Sequence, residues 1–158
     1  MTPAMAVSAP ACAPSSVVTR LFGTLHIQEE ELLDFRDGLL GFSLCKRWLL
    51  IEGKKPGTSW LQSADHGGLA FMLIDPFLAF DGYTAHLGPS EIEQLDARDP
   101  AQIAVFAIVT LPSTDTPELT ANLRGPVVIN VRARRGAQIV ASEGTWSVRQ
   151  PLPASALD

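Results

Sequence analysis

Apolar residues along this chain come in short runs, cut by Gly, Pro, Asp and Ser at intervals that suit strands and turns better than helices. In "LFGTLHI", Leu21, Gly23, Leu25 and Ile27 alternate with Phe22, Thr24 and His26, a period of two that predicts a half-buried strand. The acidic "EEELLDF" then leads into "RDGLLGF", where Asp37-Gly38 and Gly41 supply turn chemistry, so a loop anchored by Phe35 and Phe42 is expected. "RWLLIE" and "SWLQSA" read as two strands joined by the turn "GKKPGT". "LAFMLID" is continuously apolar, which fits a strand buried on both faces or a barrel wall; Pro76 removes an amide donor, ends that strand and holds Asp75 extended.

Only one segment carries a clear helix start. In "GPSEIEQLDA", Ser90 stands three residues before Glu93, which is capping-box spacing, with Pro89 stopping the chain upstream and Ile92 and Leu95 forming a narrow apolar side. A helix of a few turns is predicted there. "IAVFAIVTL" follows as the strongest strand, then "PVVINVRA", a hairpin-like turn at "RRGA", a returning strand at "QIVAS" and an edge strand in "TWSVRQPL". There is no internal repeat and no alternation of long helices with strands. The expected fold is therefore all-β and mostly antiparallel, a small closed or partly open β-barrel-like domain with one or two short helices.

The chain has 158 residues, 46% hydrophobic and 18% charged, the balance of one domain with a real core. We expect a flexible N-terminal tail over 1–19, one barrel domain over 20–153 and a short C-terminal tail over 154–158. No apolar run is long enough to span a bilayer, and the small-residue, Pro-rich N-terminus lacks the positive start of a secretory signal. Cys12 and Cys45 give no disulfide framework, and the chain reads as cytoplasmic. Net charge is -5, which favours basic partners over phosphate backbones. Its distribution is uneven: the acids of Asp75–Glu118 face one arginine, Arg98, whereas Arg124, Arg132, Arg134, Arg135 and Arg149 face only Glu143.

Catalytic chemistry has little to stand on in this sequence. His26, His66 and His86 fall in three different segments without paired ligand spacing, so neither metal nor other cofactor is expected. There is no nucleophile elbow and no phosphate-cradling loop. Asp75 and Asp81 bracket "PFLAF" and could form a carboxylate pair, but turn-forming acids that bind local amides are the simpler reading. Arg132, Arg134 and Arg135 support an alternative, a small-barrel RNA-binding module, although no aromatic residues interleave with them as a stacking platform needs. Phe77, Leu78, Phe80 and Tyr83 follow Asp75 among acids; they suit either a protein-docking patch or a plug for one barrel end.

Taken together, "FRDGLLGF", "WLQSADHGGLAFMLIDPFLAFDGY", "IAVFAIVTL", "TANLRGPVVIN" and "QIVASEGTWSVRQPL", in this order and at these spacings, resemble the flagellar assembly factor FliW family over about Leu21 to Leu152. The sequence departs from the usual family pattern at Leu39 and Leu40, in "FDGY", and at Trp146. The resemblance implies a non-enzymatic cytoplasmic protein with two protein partners, flagellin and the translational regulator CsrA, and with no direct nucleic acid, membrane or small-molecule ligand. Bound to such a protein, CsrA no longer represses flagellin messenger RNA. On this basis Asp75, Pro76, Phe77, Phe80, Asp81 and Tyr83 are expected to form a partner-binding shelf. Asn122, Leu123 and Pro126 form a second candidate element, with Asn122 and Asn130 alternatively satisfying buried backbone groups.

Overall fold

In a computed structural model the chain is described over residues 16–112, 114, 118–140 and 146–153. Its strands are β1 (Ser16–Thr19), β2 (Gly23–His26), β3 (Leu33–Phe35), β4 (Arg47–Glu52), β5 (Thr58–Ser63), β6 (Ala70–Ile74), β7 (Ala104–Thr110), β8 (Thr120–Asn130), β9 (Arg135–Gln138) and β10 (Gln150–Pro151). Two short helices, α1 (Pro76–Ala79) and α2 (Pro89–Gln94), lie between β6 and β7. The main sheet runs β8-β7-β6-β5-β4-β3-β9, and β9 pairs back onto β8, so the wall closes. Every pairing in it is antiparallel except β3 with β9. That closing pair needs a close approach. Phe35 lies opposite Gly136, and a Cβ on Gly136 would overlap the Phe35 ring.

Alternation along the strands divides the apolar residues between the inside and outside of this wall. Leu33, Phe35, Trp48, Leu61, Leu73, Val127 and Ile129 fill the interior, all nearly inaccessible to solvent. Their neighbours point outward and gather three covering layers. Leu49 and Ala64 pack under the β1–β2 hairpin with Ile27 and Leu32. Ile74, Ala107, Val109, Ala121 and Leu123 are covered by Phe80 and Tyr83, with Trp146 and Leu152 alongside. Val128 and Ala137 are covered by Leu95 and Ile103. The continuously apolar β6 is thus buried on both faces only at its end, with Leu73 inside and Ile74 under the outer layer, while Ala70, Phe71 and Met72 stay partly exposed.

Strand β8 changes face partway along. Ala121 and Leu123 point outward, whereas Val127 and Ile129 point inward, although all four are odd-numbered. The change occurs at a bulge: Phe106 pairs with Val127, yet Ile108 pairs with Asn122. Leu123–Pro126 stand where β7 has Ala107 alone, three extra residues that reverse the faces, and β8 pairs with β10 before them and with β9 after them.

Several sequence expectations shift in detail. Ser16–Thr19, assigned to a tail, is β1 and pairs with β2, which is shorter than the Leu21–Ile27 alternation. Residues 1–15, Cys12 among them, lie outside the described residues, as do 154–158. Helix α2 starts two residues earlier than the Ser90–Glu93 spacing implied: Gly88 is the N-cap, Pro89 occupies the first helical turn rather than stopping the chain, and Glu91 accepts from the Gly88 amide at 2.9 Å. The strand read as "PVVINVRA" begins further upstream, at Thr120, and the returning strand begins in "RRGA" at Arg135 and ends at Gln138. The remainder of "QIVAS" includes residues 141 and 142, outside the described ones. Cys45 precedes β4, packed against the interior cluster, and its carbonyl accepts from the Trp48 indole at 2.9 Å.

Candidate functional site

Asp75 and Pro76 end β6 as expected and then start a helix. The Asp75 carboxylate accepts from the Phe77 amide at 2.9 Å, Pro76 takes the first position, and the Phe80 amide closes the turn onto the Pro76 carbonyl at 3.0 Å. The Asp75 amide donates to the Gly57 carbonyl at 2.8 Å, so the start of the helix is tied to the β4–β5 turn. This turn divides the aromatic residues. Phe80 and Tyr83 are 7% and 6% exposed and belong to the layer that roofs β6–β8, whereas Phe77 and Leu78 are 50% and 73% exposed. Phe77 stands edge-on to Tyr83 with ring centres 5.2 Å apart, and Tyr83 continues to Trp146 at 5.3 Å. Burial pushes the Tyr83 phenol up from its ordinary range.

Asp81 is exposed at the far end of the segment and Asp75 is half-buried at the near end, so acids flank Phe77 and Leu78 along the chain, while the β4–β5 turn against which Leu78 lies carries the exposed Lys54 and Lys55. Of the residues expected to form a partner-binding shelf, Pro76, Phe80 and Tyr83 are buried and Asp75 is half-buried, so that Phe77 and Asp81, with Leu78 beside them, face solvent. Leu78 belongs to the apolar patch read from the sequence but not to the narrower set of partner-binding residues. Its signal was helical offset: the residue next to Phe77 on a one-turn helix shares its outward side once Pro76 and Phe80 are committed inward.

The second candidate element is largely packed into the barrel wall. Asn122 Oδ1 accepts from the Arg124 and Gly125 amides at 3.0 and 2.8 Å and so holds the β8 bulge, while Leu123 and Pro126 are buried. Asn130, 3% exposed, donates to the Leu95 carbonyl at 3.0 Å and accepts from the Ala133 amide at 3.3 Å. Both asparagines satisfy backbone groups, the alternative the sequence left open.

Hollows lie elsewhere among the described residues. One, of about 440 Å³, is lined by Asp96, Arg98, Gln102, Asn130, Arg132 and Ala133. Another, of about 240 Å³, opens at the barrel mouth beside Leu40, Phe42, Phe71, Val148 and Arg149. The arginines of the β8–β9 turn do not fan out as a group: Arg134 donates to the Glu29 carbonyl at 2.8 Å and Arg135 is half-buried in β9. Among the described residues no group of three or more His, Cys, Asp and Glu side chains could hold a metal ion. No helix among them is long and apolar enough to cross a membrane.

This closed, roofed barrel is shared with known proteins. The family model described as "FliW protein" matches residues 16–152, which is most of the chain. The chain belongs to the FliW family. It is 39% identical over 137 residues to the flagellar assembly factor FliW of Moorella thermoacetica, covering 86% of this chain and 87% of that one. With the FliW of Treponema denticola it shares 33% identity over 138 residues, covering 87% and 93%. A crystal structure of the flagellar assembly factor FliW superposes with a TM-score of 0.79 at 29% identity, covering 89% of this chain and 99% of that one. The family match begins at Ser16, where β1 begins, so the β1–β2 hairpin is part of the family domain.

Proposed function

We propose that this FliW-family chain is a cytoplasmic, non-enzymatic binding protein that associates with flagellin and, when free of it, binds CsrA and relieves repression of flagellin messenger RNA. The observation that carries the reading is the exposed pair Phe77 and Leu78, set on a proline-started, Asp75-capped turn and flanked along the chain by acids. Apolar side chains held on a rigid backbone lose little entropy when they dock, and the flanking acids select a basic partner and speed its approach. A protein basic enough to hold RNA meets that requirement. Net charge of -5 acts in the same direction at longer range.

The test is a competition between purified components. Full-length protein should capture CsrA, and added flagellin should displace it. Replacing Leu78 with serine should weaken capture of at least one partner while the melting temperature stays near that of the parent, whereas adding Phe77→Ser should weaken capture further at a modest cost in stability, because Phe77 is 50% exposed and rests edge-on against Tyr83. Binding of neither partner, combined with direct, steeply salt-dependent RNA binding, would overturn the proposal in favour of the RNA-binding module.

A further inference from the structure

We infer that the barrel mouth is a second docking site, separate from the Phe77–Leu78 shelf, which takes a bulky apolar side chain of a partner peptide with an adjacent carboxylate held by Arg149. The inward-pointing residues Phe71 and Ile108 floor a hollow of about 240 Å³, and Leu40, Phe42 and Val148 form its rim. Leu40 is 60%, Phe42 39% and Val148 54% exposed, and Leu44, 87% exposed, continues the apolar surface along the same loop. Phe42 is held in place edge-on against Phe71, ring centres 5.5 Å apart. Contiguous exposed apolar surface beside a preformed hollow marks an interaction site rather than scattered surface hydrophobes.

The polar groups around the hollow decide what it can hold. Gln138 accepts from the Leu40 amide at 2.9 Å and donates to the Gly125 carbonyl at 2.9 Å, and the Asn122 carbonyl is engaged by the β8 bulge. These carboxamides hold the barrel together and leave no set of converging polar groups to orient a small molecule. The hollow is also smaller than the roughly 300–1,000 Å³ usual for small-molecule sites. Apart from the exposed Thr110 and the side-chain amino group of Asn122, what remains is apolar surface and one charge. Arg149 is the only charged residue lining the hollow, and it makes no ion pair among the described residues. Its guanidinium matches a carboxylate in planar, two-bond geometry. The mouth therefore prefers the opposite charge to the acid-flanked shelf.

The test uses the full-length protein and two synthetic helical peptides that carry leucines one turn apart, one with a neighbouring glutamate and one with lysine in its place. The glutamate peptide should bind and perturb the amide resonances of Leu40, Phe42, Val148 and Arg149, and the lysine peptide should bind about tenfold more weakly. Arg149→Glu should reverse that preference. Leu40→Asp should abolish binding of the glutamate peptide; if it also disturbs folding, Val148→Ser serves in its place. Perturbation centred on Phe77 and Leu78, absence of binding, or an unchanged preference in Arg149→Glu would overturn the inference. So would concentration-dependent self-association lost in Leu40→Asp, which would give the mouth to a second copy of the chain. Shelf variants should leave peptide binding unchanged, so a failure here is distinguishable from failure of the flagellin and CsrA reading.

Discussion

The segment Asp75–Tyr83 and the loop Leu39–Leu44 share one sequence style, bulky apolar residues among turn formers, and the barrel puts them to different structural uses. The first lies across the outside of the wall, where Phe80 and Tyr83 roof β6–β8 and Phe77 and Leu78 are left over for solvent. The second folds over the inside: Leu39, 2% exposed, joins the interior cluster, Leu40 and Phe42 line the mouth, and Leu44 is exposed at the end of the loop. Acids border the outer segment, an arginine the inner one. In both, anchors and presented residues alternate within a few positions, so composition alone does not separate a docking surface from a plug. The face of the wall does.

The sharpest way to break the comparison is to remove an anchor. Tyr83→Ala empties a site that packs against Phe77 and Trp146, and loss of a large buried ring costs about 3–5 kcal/mol. Thermal unfolding should therefore fall by at least about 6 °C. A melting temperature unchanged within error would move Tyr83 to the presented set and turn the whole segment into surface.

Asn122→Ala tests the join between the two regions, because the β8 bulge it holds carries Leu123 to the outer layer and lines the mouth with Asn122 itself. Two amides lose their acceptor, and we expect a loss of about 1–2 kcal/mol in denaturant unfolding. Asn122→Asp, which keeps the acceptor, should recover most of it. An alanine variant as stable as the parent would show that water replaces the side chain and that the bulge holds itself.

How much of this was legible beforehand follows from the range of the forces involved. β4, β5, β6 and β7 could be read because their apolar runs and bounding turns are local signals, and closure into a barrel followed from the lack of crossover helices. The bulge in β8 was not legible: Asn122 and Gly125 are separated by two residues that look like ordinary strand, and only pairing with β7 and β9 reveals the change of face. The helix start at Gly88 was missed because Ser90 matched the capping pattern, whereas Pro89 at the first helical position fixes the register. For the site, Asp75, Pro76 and Phe77 were placed correctly at a strand end. The sequence leaves open whether Phe80 and Tyr83 face a partner or pack onto the barrel, and their place over the outer wall rather than at its end depends on a layer assembled from β7, β8 and Trp146.

A pH titration separates the regions by how they are fastened. The mouth loop ends where Asp65 accepts from the Lys46 and Arg47 amides at 2.9 and 3.0 Å and pairs with the Arg47 side chain at 2.6 Å. Burial opposes ionisation of Asp65, but the bonds from Arg47 and Lys46 outweigh it and hold the carboxyl below the usual aspartate range. Because the folded value lies below the unfolded one, the stabilisation is fully present above about pH 4 and is lost as pH falls through the folded value. Asp65→Asn should cost about 1 kcal/mol near pH 7, a modest figure because solvent screens the pair, and the gap between variant and parent should close in acid. A gap independent of pH would mean the carboxylate charge plays no part in fastening the loop.

The smallest change in stability belongs to the presented residues, and there the two regions should part in function. Leu78→Ser removes a side chain that is 73% exposed, so its stability should change by less than about 0.5 kcal/mol. Leu78 lies on the side of Gly57 where an added Cβ would meet its Cδ1 at 3.2 Å, and the capped turn that carries it fixes its backbone although its side chain is open to solvent. A fixed, exposed apolar residue is the kind that carries binding energy, and its truncation should weaken CsrA or flagellin binding roughly tenfold. Leu40→Ser at the mouth should be equally silent in stability and should leave that same binding intact. If the two substitutions weaken the same partner equally, the shelf and the mouth are parts of one continuous interface, and the difference in their bordering charges belongs to a single partner with an acidic and a basic end.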